Sequence, residues 1–336
     1  LGIRTVAVYS QEDRFALHRF KADESYLVGQ GLGPVEAYLS IEGVIRIAKE
    51  ARVDAIHPGY GLLSENPEFA DACAAAGILF IGPSPAAMRA LGNKVSARKL
   101  AEKAGAPVMP ASPPLPRDIN GAKAMAQEVG FPVMLKASWG GGGRGMRVIE
   151  EEAALAGEVE TARREAEAAF GNDEVYLEKL VRHARHVEVQ IIGDQHGTIV
   201  HLHERDCTMQ RRNQKVVERA PAPYLDGVQR TTLHEAAVRI GRAAEYSNAG
   251  TVEFLMDVDS GEFYFIEVNP RIQVEHTVSE VVTGIDLVKA QIRIAQGAKI
   301  GSAESGVPPQ EEITVNGNAI QCRVTTEDPE NNFIPD

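Results

Sequence analysis

The sequence predicts a mixed fold of the α/β and α+β classes: an N-terminal subdomain on a parallel sheet, a small lid around a glycine loop, and a C-terminal subdomain on an antiparallel sheet. Three observations carry this. Over the first hundred residues, short apolar runs alternate with helical patterns, the β-α-β rhythm of a parallel sheet. Further on, five glycines fall within the six positions 140–145, between two strand-like segments. From His186 onward strands dominate, and two of them read as a hairpin. At 336 residues the chain is too long for one small core and suits two or three packed units. The predicted bounds are 1–107, 108–181 and 182–336.

In the first unit, Thr5–Ser10 reads as a strand and Ser40–Arg52 as a helix with Ser40 as its cap. A short strand ends at His57-Pro-Gly59. Pro67–Ala76 reads as a helix, and Ile78–Ile81 as a buried strand. The stretch Pro107–Arg117 is proline-rich and reads as a linker. Beyond it, a helix at Gly121–Val129 precedes strands at Phe131–Ala137 and Met146–Ile149. The charged segment Glu150–Phe170 reads as a long helix stopped by Gly171, and Val175–Lys179 as another strand. Strands then follow at His186–Ile192, Thr198–His203, Thr251–Asp257 and Glu262–Val268.

Composition narrows the function classes. A net charge of −12 argues against nucleic-acid binding through a generally basic surface, while leaving room for a local anion site. No run of 18 apolar residues occurs, so no membrane span is expected. The three cysteines, Cys73, Cys207 and Cys322, are far apart and form no CxxC pair, which points to a reducing compartment and no zinc site.

The segment Lys136-Ala-Ser-Trp139, followed by Gly140, Gly141, Gly142, Gly143, Arg144, Gly145 and Met146, carries the first functional signal. So many glycines cost chain entropy, a cost that suits backbone which must approach a ligand closely. Their bare N–H groups can ring phosphate oxygens, and Lys136 can reach the same phosphates. Gly140, Gly142 and Gly145 formally match GxGxxG, but that fingerprint needs a helix next, and here a strand follows. Strand, glycine loop, strand is a phosphate flap; a flexible surface hairpin is the plainer alternative.

The second signal is the hairpin. With its turn centred on Ser260, paired residue numbers sum to 520, which sets Glu253 opposite Glu267. Opposed Cβ atoms lie roughly 4.5–5.5 Å apart. Two carboxylates so close repel unless a cation intervenes or one is protonated. Glu267, Asn269, Arg271, Gln273 and Glu275 then occupy alternate positions, with apolar or proline residues between them. Magnesium held by carboxylates and nucleotide phosphates fits such a face; Arg271 could hold an oxyanion, and Glu275 could act as a base.

Weaker signals accompany these. Glu178-Lys179 ends a strand that could bind a nucleotide base and ribose, or could be a solvated pair. Arg205–Lys215 reads as an anion pocket or as a solvated loop. His57 could be catalytic, though a structural loop histidine is the better reading. Arg323 could be a surface charge, and nothing local distinguishes it.

Together these pieces resemble the ATP-grasp superfamily, and within it the biotin carboxylases. The matching stretches are His57–Asn66, Leu135–Arg147, Arg205–Lys215 and Phe265-Ile-Glu-Val-Asn-Pro-Arg-Ile-Gln-Val-Glu-His276. The finer likeness, in Glu12–Ser25, Trp139, Ala220–Tyr224 and Cys322–Pro329, is to the pyruvate carboxylases. The resemblance implies that ATP is bound by Lys94, Lys136, Gly140–Gly145, Met146, Glu178, Lys179 and His186. It implies magnesium (or manganese) on Glu253, Glu267 and Asn269, and bicarbonate on Lys215, Arg271, Gln273 and Val274. Glu275 would be the bicarbonate base, and Arg323 would steady the biotin enolate. Biotin would arrive on a separate carrier domain, with a carboxyltransferase domain also outside this chain and a homo-oligomeric parent. The resemblance further implies strands before Leu1 and after Asp336, and a cytoplasmic or mitochondrial-matrix location. Rival readings are an acetyl-CoA or propionyl-CoA carboxylase, a non-catalytic nucleotide-binding module, another ATP-grasp ligase such as a carbamoyl-phosphate synthetase, and a kinase. Arg271-Ile-Gln-Val-Glu275 speaks against the synthetase, and the missing Asp-Phe-Gly and His-Arg-Asp against the kinase.

Overall fold

Residues 1–139, 146–211 and 214–335 are described by the structure, a computed structural model. The N-terminal region pairs its strands in parallel, as expected, but in two separate pairs rather than one sheet. Val6–Tyr9 pairs with Glu24–Leu27, and Ala55–Ile56 with Leu79–Phe80. Helix Ile41–Glu50 lies over both, with Ile47 packed under the first pair and Ala48 under the second. It starts where Ser40 Oγ accepts the Gly43 N–H at 3.1 Å, satisfying one of the free amides of the first turn. The predicted buried strand at Ile78–Ile81 is only the pair Leu79–Phe80, in which Leu79 is exposed; Ile78 and Ile81 flank it and are buried.

The middle unit is a three-stranded antiparallel sheet in the order Arg147–Ile149, Val133–Ala137, Val175–Lys179. Helices Ile119–Val129 and Glu152–Phe170 cover it, and Leu135, Ile149, Leu155, Val159 and Leu177 close a continuous apolar core. Gly171, at φ 66°, ends the long helix in the left-handed conformation that glycine adopts without a Cβ clash. Strand–loop–strand, not strand–loop–helix, is therefore the arrangement around the glycine run, although Gly140–Gly145 themselves lie outside the described residues.

Pro107–Arg117 is not a free linker. Its backbone runs beside Val175–Lys179, through Ser112 N–H to Leu177 O, Leu115 N–H to Val175 O, and Lys179 N–H to Pro110 O, each 2.8 Å. Val108 bridges Phe265, so the segment ties the middle unit to the hairpin. Its prolines lack donors, but the inward positions Met109 and Leu115 are buried.

The C-terminal part is a six-stranded antiparallel sheet. Its order is Phe263–Asn269, Asn248–Asp257, Ala184–Gly193, Ile199–Arg211, Gln214–Ala220, Ala319–Cys322. One face packs Val187, Val189, Ile191, Val252, Phe254 and Phe265 against helix Gly227–Ala243. Helices Pro85–Gly92 and Lys94–Lys103 share this core through Leu91, Ala97 and Ala101, although they precede the expected break at residue 107. The opposite face is apolar at one end, where Ile192, Val200, Leu202 and Ala249 meet Leu287 and Ile294, and polar at the other.

Candidate active site

The polar end is built by register. Glu267 pairs with Glu253, Glu253 with Glu188, and Glu188 with Arg205, so four charged residues stand in one row across four strands. The pairing of Glu253 with Glu267 arises differently from the symmetric hairpin expected. Near the turn Phe254 pairs with Phe265 and Met256 with Phe263; a register shift after Glu253 then restores the sum of 520. Ile266 is the extra residue, and this bulge turns Glu267 onto the same face as Glu253.

Three neighbouring carboxylates cannot stand ionised in a dry site without cations. Lys215 supplies one: its ammonium donates to Glu188 at 2.5 Å, Glu253 at 2.7 Å and Glu275 at 2.8 Å, using all three of its protons. Arg205, fully buried, supplies another. Its five N–H groups go to Glu188, Gln190, Ser279, Thr251 and Gln273 at 2.6–3.1 Å. His186 Nε2 lies 3.0 Å from Glu253. Burial works against every ion here, but the partners outweigh it. Lys215 and Arg205 hold Glu188 well below the usual carboxylate range, and Lys215 and His186 do the same to Glu253. Burial likewise opposes the His186 cation, yet the Glu253 charge, with Glu188, holds the ring up at about 9.

The remaining expected residues gather around this row. Glu275, buried at the start of helix His276–Thr283, accepts from Lys215 and, at 2.9 Å, from Arg323. Arg323 also donates to Glu218 at 2.6 Å, which ties it to this cluster, a placement that nothing in its local sequence marks. Asn269 and Gln273 donate to Glu253 at 2.8 and 3.0 Å, and the Gln273 oxygen accepts from Arg205. Strand geometry ends at Asn269, and Arg271 turns away to Glu65 at 2.5 Å. Val274 is half-buried between Gln273 and Glu275.

A second group sits at the root of the glycine loop. Lys94 Nζ reaches Glu267 at 3.2 Å, and its backbone N–H bonds Ser138 O, next to the loop. Lys136 pairs with Glu178, which also accepts from Tyr176 at 2.9 Å. Lys179 donates to Gly130 O, and Met146 is half-buried just before strand Arg147–Ile149. Opposed acids with an amide two residues on offer oxygen donors of the kind hard divalent cations take.

One reading needs correction, and the structural reading of His57 holds. Arg205–Lys215 is neither an anion pocket nor a solvated loop: it is a strand pair whose members part company. Arg205 is saturated inside the sheet, Arg211 is exposed and pairs with Glu327 at 2.7 Å, and among the described residues of the segment only Lys215 opens onto the site. Arg212 and Asn213 lie outside the described residues. His57 is structural. Its Nδ1 accepts the Gly59 N–H, its Nε2 faces Gln291 Oε1 at 3.1 Å, and burial lowers its pKa. Sequence reading also missed Glu188 and Gln190. They alternate with Val187, Val189 and Ile191 after His186, a period of two that marks one polar strand face.

Comparison with known proteins agrees with this geometry. A family model described as carbamoyl-phosphate synthase L chain, ATP binding domain, matches residues 93–303, and one described as biotin carboxylase, N-terminal domain, matches residues 1–88. Pyruvate carboxylase of Bacillus subtilis is 55% identical over the whole chain, and the mitochondrial pyruvate carboxylase of Homo sapiens 54%. The chain spans 29% and 28% of those two proteins. A Rhizobium etli pyruvate carboxylase variant, solved with the allosteric activator acetyl coenzyme-A, superposes with a TM-score of 0.95 at 67% identity, over 99% of this chain and 30% of that one. A Campylobacter jejuni biotin carboxylase, solved with β,γ-ATP, gives 0.93 at 46% identity, over 99% of this chain and 73% of that one. The biotin carboxylase domain of Hydrogenobacter thermophilus 2-oxoglutarate carboxylase, solved with MgADP, ADP and bicarbonate, gives 0.93 at 44%, over 99% and 72%.

Proposed function

The chain belongs to the biotin carboxylase family, and on that premise we propose that it carboxylates biotin with ATP and bicarbonate, as the first half-reaction of a pyruvate carboxylase. The observation that carries the reading is Glu275, buried between Lys215 and Arg323 beside a row of acids in register. A base held between two cations suits a reaction that deprotonates one anion and steadies the next.

In this reading Lys94, Lys136, Glu178, Lys179, His186, Met146 and the loop Gly140–Gly145 bind the nucleotide. Magnesium or manganese is held by Glu253, Glu267 and Asn269, and neutralises phosphate charge when bound. Lys215, Arg271, Gln273 and Val274 hold bicarbonate. Glu275 takes its proton, and a bicarbonate oxygen attacks the γ-phosphorus of ATP. ADP leaves, and carboxyphosphate forms. Carboxyphosphate splits into CO2 and phosphate, and the phosphate takes the N–H proton of the biotin ureido ring. Arg323 steadies the resulting enolate, whose nitrogen attacks CO2. For Lys215 and Arg271 to meet bicarbonate, the ion must displace part of their present pairing with acids.

Biotin on a carrier domain, a carboxyltransferase for pyruvate, a homo-oligomeric parent, and residence in cytoplasm or mitochondrial matrix complete the proposal. The pyruvate carboxylase relatives and the three free cysteines support it. Among the described residues no helix is long and apolar enough to cross a membrane. The test is phosphate release from ATP with bicarbonate and free biotin varied independently: both should stimulate it, and turnover indifferent to bicarbonate rejects the assignment.

A further inference from the structure

We propose that His201, His203 and His234 form a site for one divalent transition cation of the zinc class, on the side of the sheet away from the carboxylate row. Each histidine offers one ring nitrogen, and the three nitrogens lie within 4.8 Å of one another. His201 and His203 come from strand Ile199–Arg211, and His234 from helix Gly227–Ala243, which packs on that face. His203 meets the other two rings edge-on, with centroids 5.3 and 5.1 Å away, while His201 and His234 lie 4.0 Å apart and tilted by 32°.

The backbone is bent to make this cluster. His203 adopts φ 61°, a left-handed conformation uncommon for a residue with a Cβ. The strand slips register there: His201 pairs with Ile191, but Glu204 with Val189. Without the slip, Glu204 would face away from His201 and His203. With it, Glu204 sits behind His234 and takes its Nε2 at 2.7 Å.

That contact is the carboxylate–histidine pairing that orients metal-bound imidazoles: Nε2–H is committed to the acid, leaving the Nδ1 lone pair free. His203 Nε2 reaches Ile313 O at only 3.4 Å, and His201 Nδ1 accepts a 3.4 Å bond from the His203 N–H. Ligation therefore costs long, weak bonds. His201 and His203 are half-buried, which leaves an ion a way in and room for water as a fourth ligand. Three imidazoles and no carboxylate ligand favour Zn2+, Co2+ or Ni2+ over Mg2+. The cation would pin the helix to the strand that carries Arg205.

Cobalt tests this. The chain is titrated with Co2+ in excess Mg2+, which keeps oxygen-rich sites filled, while the visible absorption of nitrogen-ligated cobalt and the bound stoichiometry are read; Zn2+ is then added as competitor. One Co2+ per chain, displaced by Zn2+, is expected. The paired substitution His201→Gln and His203→Asn should abolish it; asparagine tolerates the left-handed backbone at 203. Glu204→Gln should weaken it by about 10–100-fold. Absence of cobalt binding by the folded chain overturns the proposal. So does binding that the paired variant retains, or binding that excess Mg2+ removes.

Discussion

The middle unit and the carboxylate floor are both sheets, yet they are held together by opposite means. The middle unit buries Leu135, Ile149, Leu155 and Leu177 between two helices and three strands, and its charged pair Lys136–Glu178 sits on the other face of the sheet. The floor buries Glu188, Glu253, Glu275 and Arg205 with almost no exposure. Apolar burial is additive and non-directional, so the middle unit should weaken in proportion to what is removed. Buried charges are stable only as a set, so the floor should fail when one member is taken and recover when its partner goes too. A site that must hold anions next to acids needs the second construction, and its geometry follows from strand register.

That contrast can be broken. The largest effect is expected from Arg205→Met, which strands Glu188 and four neutral acceptors; urea unfolding should show a loss of about 3–5 kcal/mol. Adding Glu188→Leu should restore part of it, and failure to do so would mean that the floor is held like an ordinary core. Next comes Leu135→Ala in the middle unit, at about 2–5 kcal/mol, with no second-site removal able to rescue it.

A smaller effect probes a single pair. Thr208 and Arg219 outweigh burial and hold Asp206 below its ordinary 3.8. A depressed carboxyl contributes stability above its unfolded value, and that contribution is lost as pH falls through the folded one. Asp206→Asn should therefore cost about 1–3 kcal/mol at neutral pH, and progressively less below pH 3.8, as read by urea melts across pH. The smallest effect belongs to Arg211→Ala. It removes an exposed pair with Glu327 and should cost under about 1 kcal/mol.

The two regions also differ in how far they could be read in advance. The middle unit was legible almost to the residue. Its helices have an Asp118 cap and a Gly171 stop, and its strands alternate inward Val133, Leu135 and Ala137 with outward neighbours. Only Pro107–Arg117 misled, because prolines suggest a linker while Met109 and Leu115 are buried. In the floor, hairpin arithmetic set Glu253 against Glu267, but the bulge at Ile266 that brings this about leaves no mark in a symmetric count. Glu188 and Gln190 were visible as an alternation and went unread. Arg205 was not legible, because its five partners come from two other strands, the turn at Gln273 and helix His276–Thr283. The separation of Arg205 from Lys215, so close in sequence, is likewise a product of the sheet.

Glu275→Gln is the most direct test of the central claim that the floor's acids and Lys215 form a bicarbonate-activating site. Nucleotide affinity and bicarbonate-stimulated phosphate release should be measured on the same preparation. Nucleotide binding should persist while the bicarbonate-dependent release disappears. Release that survives in Glu275→Gln with its bicarbonate response intact would contradict the account.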